Sequence, residues 1–406
     1  MALTTAPARA ATVAGMTIAT PLRTSGRFIV DANGRRVKLA GVNWAGAEED
    51  GMVPGGLDYR HRDDIARQVV RWGFNSIRLL FAVRTVTYGG AIDPARVRAN
   101  PDLADKTPWQ VYQACVAALT AAGLIVIPDC HISWSGWCCS GTDGNGLWWN
   151  ANWPEPVFLS AWQKVVRAFA DNPLVAAYDL RNEPRQAVIS GVTYHPSWGD
   201  GNSETDFRAV YVKAGNLIHS IDPDPLIICE GLNYAGDLTG AAAHPVTLAR
   251  PDKVVYSCHD YPWYHPSGQS RADYLASMHA RAGFVTEGTR PAPLFVGEVG
   301  VSNASPAALG LVSPGSSSPD AGQAGWWTNF HAWARQLDVD WCYWHLDGTH
   351  VRASEPQTNR LIYLDDDRCG DGLFAQDWRG PASPWLLGQL QALQAPTAGP
   401  GIGGRS

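Results

Sequence analysis

The sequence is short of charge: Asp, Glu, Lys and Arg make up 17% of the 406 residues. Lys and Arg (32) do not outnumber Asp and Glu (38), and the net charge is −6. With no basic excess to neutralise a phosphate backbone, nucleic acid is not expected as a partner. No run approaches ~18 uninterrupted apolar residues, so no membrane-spanning helix is predicted. H-E-x-x-H, P-loop and G-x-S-x-G patterns are missing, which removes the main metalloprotease, nucleotide and serine-hydrolase readings. A G-x-G-x-x-G match at 399–404 lies in a tail with no strand before it and no helix after it. The acidic stretch 365–372 departs from a calcium loop, because Cys369 replaces an oxygen ligand and Gln376 stands where the bidentate Glu belongs. No metal and no cofactor is expected.

Apolar residues are plentiful at 45%, enough for a large core. Tryptophan is abundant, with 18 in one chain, and flat aromatic plates suit a protein that stacks sugar rings as well as one that packs a core. Eight cysteines permit disulfides in an exported protein. Cys229, Cys258 and Cys342 lie inside predicted strands and read as buried thiols. Cys138 and Cys139 lie in a loop and are expected to bridge to another loop; Cys369 is expected to bridge to a partner the sequence does not name. Residues 1–26 lack the basic start and apolar run of a full signal peptide and read as a leader remnant or extension. Secretion is the expected localisation, with a monomeric catalytic domain over 27–395 and a disordered tail over 396–406.

Eight short runs, most of them β-branched or apolar on both parities, read as strands buried on both faces: 36–44, 75–81, 124–132, 175–184, 226–231, 254–261, 294–300 and 338–348. Helical patterns fall between them at 58–72, 107–123, 155–171, 203–221, 271–282 and 320–337, and one follows at 383–394. Thr107-Pro108-Trp109-Gln110 is a capping-box start, and Gly123 closes that helix. Between 231 and 252 only a short helix is expected. Residues 313–320, rich in Ser and Pro, read as a loop. Eight strands alternating with helices predict a single α/β (β/α)8 TIM barrel with long βα loops.

In such a barrel the carboxyl ends of the strands surround the active site. Here those ends carry Asn43 and Trp44, Arg78, Asp129 with His131, Asn182 with Glu183, Glu230, His259 with Tyr261, Glu298, and Trp344 with His345. Glu183 and Glu298 end strands four and seven, on opposing arcs, so they can face each other across the mouth. Glycosidic cleavage needs one carboxylic acid to protonate the leaving oxygen and one carboxylate on the other face of the sugar. A structural ion pair explains neither their position nor their pairing. Glu230 reads as a contact to substrate or catalytic residues, or as a structural ion pair. Trp44, Trp137, Trp148, Trp149 and Trp263 lie on predicted top-face loops and are candidates for sugar stacking, against ordinary core packing.

The set Arg78, His131, Asn182-Glu183-Pro184, His259 with Tyr261, Gly297-Glu298 and Trp344 resembles glycoside hydrolase family five, over about residues 27–395. The resemblance implies Glu183 as general acid/base and Glu298 as nucleophile. It also implies that Asn182 bonds the sugar 2-hydroxyl, that Arg78 and Tyr261 hold the nucleophile, and that Trp344 stacks under the ring at the cleavage site. The insertion at 134–150, with its Trp-Cys-Cys and Asp-Gly-Asn-Gly pieces, is similar to a less-studied branch of that family. It is expected to form an aromatic wall, carrying Trp148 and Trp149, that closes part of the cleft; the alternative is a loop capping the barrel side with its own small core. The expected activity is retaining hydrolysis of an oligo- or polysaccharide, a β-1,4-glucan first. The alternatives are β-mannan or short and aglycone-linked β-glycosides, and, from another class, a non-catalytic carbohydrate-binding barrel.

Overall fold

The computed structural model describes residues 8–136, 138–301, 320–354, 361–365 and 371–401. Eight parallel strands close into a barrel: β1 (Ala40–Trp44), β2 (Ser76–Ala82), β3 (Ile125–Ile132), β4 (Ala177–Asp179), β5 (Leu226–Glu230), β6 (Val254–Asp260), β7 (Leu294–Val299) and β8 (Asp340–Tyr343). The outer ring is α1 (Arg62–Arg71), α2 (Pro108–Ala121), α3 (Glu155–Phe169), α4 (Phe207–His219), α5 (Arg271–Arg281), α6 (Asp320–Leu337) and α7 (Pro384–Gln394). These are the predicted elements, trimmed at their ends. After β5 the ring has only the short helix Gly240–Ala243, preceded by a left-handed turn at Asn233, Tyr234 and Ala235. The Thr107 cap of α2 is reciprocal: its hydroxyl accepts the Gln110 N–H, and Gln110 Oε1 accepts the Thr107 N–H at 3.0 Å. Such a cap contributes about 1 kcal/mol.

Alternation along the strands divides the barrel into two levels. Inward positions at the amino ends are apolar: Ile125, Ile127, Leu226, Ile228, Val255, Phe295 and Cys342 form one cluster. The same parity continued upward reaches Asp129 on β3, Glu230 on β5 and Ser257 with His259 on β6. The lower level is dry packing, and the upper level is a charged interior beneath the mouth.

The ends of the chain differ from expectation. Arg9–Val13 pairs with Met16–Thr20, and Arg23–Ser25 with Phe28–Val30, as two hairpins. Val13, Ile18, Leu22 and Ile29 join the lower cluster and plug the barrel floor, so residues 9–26 are part of the fold. Nor is the tail detached over 396–401. Thr397 N–H donates to Asp338 Oδ1 at 2.9 Å, and Arg36 N–H donates to the Pro400 carbonyl at 2.9 Å. Asp338 also pairs with Arg36 and Lys38 in a buried cluster that draws the tail in.

His219, the last residue of α4, is buried with Nε2 against the Pro225 carbonyl at 3.0 Å and Nδ1 without an acceptor. A second proton has no partner, and burial pushes the imidazole down to about 4. The folded value lies below the unfolded one near 6.5, so this contribution is complete above pH ~6.5 and is lost as pH falls through 4. Replacing His219 by Gln should therefore flatten the loss of stability between pH 6.5 and 4, by on the order of 3 kcal/mol at the acid end. Chemical denaturation at both pH values checks this; equal slopes in the two proteins would refute it.

Candidate active site

Arg78, inward on β2 and fully buried, organises the mouth. All five of its N–H donors are used. Nε reaches Asp179 Oδ2 at 2.9 Å; Nη1 reaches Glu298 Oε1 at 2.9 Å and Asn43 Oδ1 at 3.0 Å; Nη2 reaches Asn182 Oδ1 at 2.8 Å and Glu230 Oε1 at 2.9 Å. Asp129 Oδ1 lies 3.0 Å from Nη2. Burial strongly opposes the guanidinium charge, but Asp129, Asp179, Glu230 and Glu298 outweigh it and hold the proton well above the ordinary arginine value.

Glu298 accepts a second hydrogen bond on its other oxygen, from the Tyr261 hydroxyl at 2.8 Å. Burial and the adjacent carboxylates push the Tyr261 phenol well up, so it stays a donor. The β6–β7 register shifts between Cys258 and His259, which sets His259 opposite Glu298. Gly297 makes room for this: a Cβ there would lie 2.8 Å from Ser257 Oγ and 3.0 Å from His259 Nε2.

His259 sits between the two candidate catalytic groups. Its Nδ1 is 3.0 Å from Glu183 Oε1 and 3.5 Å from Glu298 Oε2, and its Nε2 is 3.4 Å from Glu230 Oε1. Burial alone would strip its proton; Glu298, Glu230 and Glu183 outweigh burial and hold it as a cation. Glu183 and Glu298 bring carboxylate oxygens within 4.8 Å of each other and of the imidazole. Facing oxygens this close set the two carboxyl groups nearer to the ~5–5.5 Å separation of retaining enzymes than to the wide gap, up to ~9.5 Å, that admits a water. Glu183 itself has φ +46°, in the left-handed region, at a cost on the order of 1 kcal/mol for a side chain with a Cβ. Its N–H donates to Glu230 Oε2 at 2.7 Å.

His131 stacks on Trp344, with centroids 5.9 Å apart and planes at 15°. Its Nδ1 meets Asp129 Oδ2 at 2.7 Å, and its Nε2 is 3.3 Å from Asn182 Nδ2. Burial drives the imidazole down to about 3, so it is neutral, with Nε2 assigned as acceptor from Asn182. Trp344 keeps part of its ring exposed at the mouth.

Three of the tryptophans proposed for sugar contact lie elsewhere. Trp44 is 0% exposed, its indole N–H donating to the Gly55 carbonyl, because the last residue of β1 points outward into the helix layer. Trp148 is 1% exposed, packed edge-on to Phe207 of α4 and bonded to Glu155 of α3. Trp149 is half-buried against Tyr194 and donates to the Glu204 carbonyl. The insertion therefore packs Leu147, Trp148 and Trp149 onto the main core at the barrel side instead of raising them as a wall over the cleft. Its Asp-Gly-Asn-Gly piece ties together the chains leaving β3 and β4: Asp143 Oδ2 pairs with Arg185, after β4, at 2.6 Å, and Asn145 Oδ1 accepts the Ser133 and Trp134 N–H groups, after β3. Cys138 and Cys139 are joined to each other rather than to a second loop, and their sulfurs lie 4.0 and 3.9 Å from Asn182 Nδ2. Cys115, Cys130, Cys229, Cys258 and Cys342 are buried free thiols. Trp137, Cys369, residues 313–319 and most of the acidic stretch 365–372 lie outside the described residues.

Two interior groups carry little signal in the sequence: Asp179 is hidden in an apolar strand, and Asp129 reads only as a polar strand end. Their spacing of two from inward neighbours is the signal that reveals them. Trp263, with 69% of its surface exposed, lies flat on Tyr261 at 4.3 Å and 11°. Asp129, Asp179 and Glu230 converge like metal ligands, but the Arg78 guanidinium already occupies their centre.

Residues 30–350 match the family described as Cellulase (glycosyl hydrolase family 5). An endoglucanase of Paenibacillus polymyxa is 32% identical over 299 residues, covering 69% of this chain and 71% of its own. A glycosyl hydrolase 5 family protein of Chamaecyparis obtusa is 29% identical over 407 residues, covering 94% and 67%. The barrel of an endocellulase from Pyrococcus horikoshii superposes with a TM-score of 0.72 at 24% identity, over 93% of this chain and 100% of that one. The profile match and the first relative lead to one conclusion: this chain belongs to glycosyl hydrolase family 5 and is a retaining glycoside hydrolase.

Proposed function

We propose that the protein hydrolyses β-1,4-glucan by double displacement, with Glu298 as nucleophile and Glu183 as general acid/base. The observation that carries the assignment is the unequal setting of two carboxylates within 4.8 Å. Arg78 and Tyr261 both aim at Glu298, one on each oxygen, fixing it for attack and compensating its charge. Glu183 has neither donor and meets His259 instead. Glu298 attacks the anomeric carbon while Glu183 protonates the leaving oxygen; Glu183 then takes a proton from the water that releases the sugar. Arg78 and His131 hold Asn182 beside the pair, which supports a role for it in bonding the 2-hydroxyl of the reacting ring, and the partly exposed Trp344 supports one as the platform beneath that ring.

The β-1,4-glucan assignment draws on the names of the relatives. The Pyrococcus enzyme was crystallised with cellotetraose, and a Xanthomonas campestris relative, of which this chain covers 48%, is a major extracellular endoglucanase. We place this protein outside the cell as a monomer; among the described residues no helix is long and apolar enough to cross a membrane. The test is digestion of carboxymethylcellulose, β-mannan and aryl β-glycosides, with fresh product followed by proton NMR. Cellulose-type chains should be cut and the β-anomer should appear first. An α-anomer appearing first, or no cleavage of any β-glycoside, would overturn the reading.

Trp263 is the exposed aromatic next to this machinery. One face rests on Tyr261 and the other is open, so a sugar ring neighbouring the cleavage site can stack there. Trp263→Ala is expected to raise KM on cello-oligosaccharides about 2- to 10-fold with kcat little changed, as loss of one stacking contact implies. An unchanged KM would remove Trp263 from the cleft.

A further inference from the structure

Glu230 closes β5 beneath the catalytic pair, 0% exposed. It bonds groups from four directions. Oε2 accepts the Glu183 N–H at 2.7 Å; Oε1 accepts Arg78 Nη2 at 2.9 Å and lies 3.4 Å from His259 Nε2; its own carbonyl accepts the Tyr211 hydroxyl of α4 at 3.0 Å. Asp129 and Asp179 face it from β3 and β4. Burial pushes the Glu230 carboxyl up, but His259 and Arg78 outweigh burial and bring it down to about 2.

These contacts are not equally replaceable. Arg78 keeps Asp179, Asn43, Asn182 and Glu298 when Glu230 is taken away. The Glu183 N–H has no acceptor but Glu230 among the described residues. That N–H belongs to a residue at φ +46°, a conformation glycine adopts freely and glutamate does not. Glycine cannot stand at this position, because the side chain is the one that must reach substrate. The same carboxylate also faces the far nitrogen of the imidazole whose near nitrogen touches Glu183. We propose that Glu230 is the positioning residue of Glu183: it pins the left-handed turn that aims the acid/base into the cleft and anchors the imidazole against which that side chain rests. The inference rests on Glu183 being the acid/base.

The test compares a substrate that needs leaving-group protonation, cellotetraose, with one that does not, a dinitrophenyl β-cellobioside. In Glu230→Ala, kcat on cellotetraose should fall ~100-fold or more while kcat on the activated glycoside falls less than ~5-fold, because protonation is the step impaired. Glu230→Gln keeps an oxygen for the Glu183 N–H, so the gap between the substrates should narrow to about 5-fold. It conserves volume, and that gap carries the test if the Ala variant does not fold. Equal losses on both substrates, or an unchanged kcat on cellotetraose, would overturn the proposal. Glu183→Ala is the control: if it shows no leaving-group gap, the acid/base reading has failed; if it shows one and Glu230→Ala does not, only this inference has.

Discussion

Glu298→Ala is expected to lower kcat on cello-oligosaccharides by on the order of 10⁵-fold or more, as removal of a covalent nucleophile does. The shortened side chain leaves a space lined by Arg78 Nη1 and the Tyr261 hydroxyl, both of which had donated to the carboxylate. That space has the chemistry of a small-anion site. Azide or formate supplied to the variant should restore part of the activity on an aryl β-cellobioside. With azide the new bond forms on the face opposite the aglycone, so the product should be the α-glycosyl azide. Anomeric NMR of that product is the decisive measurement. A variant retaining wild-type turnover, or a β-glycosyl azide, would move the nucleophile to another residue. The fold should survive, since Glu298 is the last charged member of a network that Asp129, Asp179 and Glu230 still compensate.

The second large effect is on stability. Arg78→Met keeps an unbranched stem and leaves four carboxylates around the guanidinium's former place without their shared cation. Removing one partner of a buried charge cluster costs on the order of 3–5 kcal/mol. The deficit should depend on pH. Burial already raises Asp129 to about 7 and Asp179 well above the carboxylate range, and Arg78 opposes both shifts. A raised carboxylate favours folding below its unfolded value near 3.9 and loses that advantage as pH rises through the folded value. Without Arg78 both folded values rise further. The variant should thus approach wild-type stability near pH 4 and fall furthest behind it towards pH 8. Denaturant titrations at the two ends measure this, and a deficit independent of pH would mean that the loss is one of packing rather than charge.

The arrangement shows how one guanidinium serves several tasks. It fixes Glu298 and orients Asn182, and it draws Asp179, Asp129 and Glu230 into the barrel interior, where Glu230 in turn holds the Glu183 backbone. The sequence displayed the endpoints of this network as strand-end residues. Its centre is less visible, because Asp179 lies among apolar residues and only its spacing of two from the inward Ala177 marks it. The tryptophans divide in the same way. Trp344 follows a strand end whose direction the barrel dictates. Trp148 lies in a long loop, and its place against Phe207 depends on how that loop folds back over α3 and α4.

The strand and helix periodicities, the Thr107 cap and the order of polar strand ends are local properties, so the amino-acid sequence alone determined the eightfold barrel, its catalytic face and the pairing of Glu183 with Glu298. Separations across the barrel are properties of closure. Only the tertiary structure decided that these carboxylates come within 4.8 Å and that a bulge at Cys258–His259 sets the imidazole between them. It also decided that Cys138 joins Cys139 and that the amino-terminal hairpins plug the floor. The physical reason is common to all four: each depends on residues brought together from distant strands or from a loop with no period of its own, where neither propensity nor spacing carries the information.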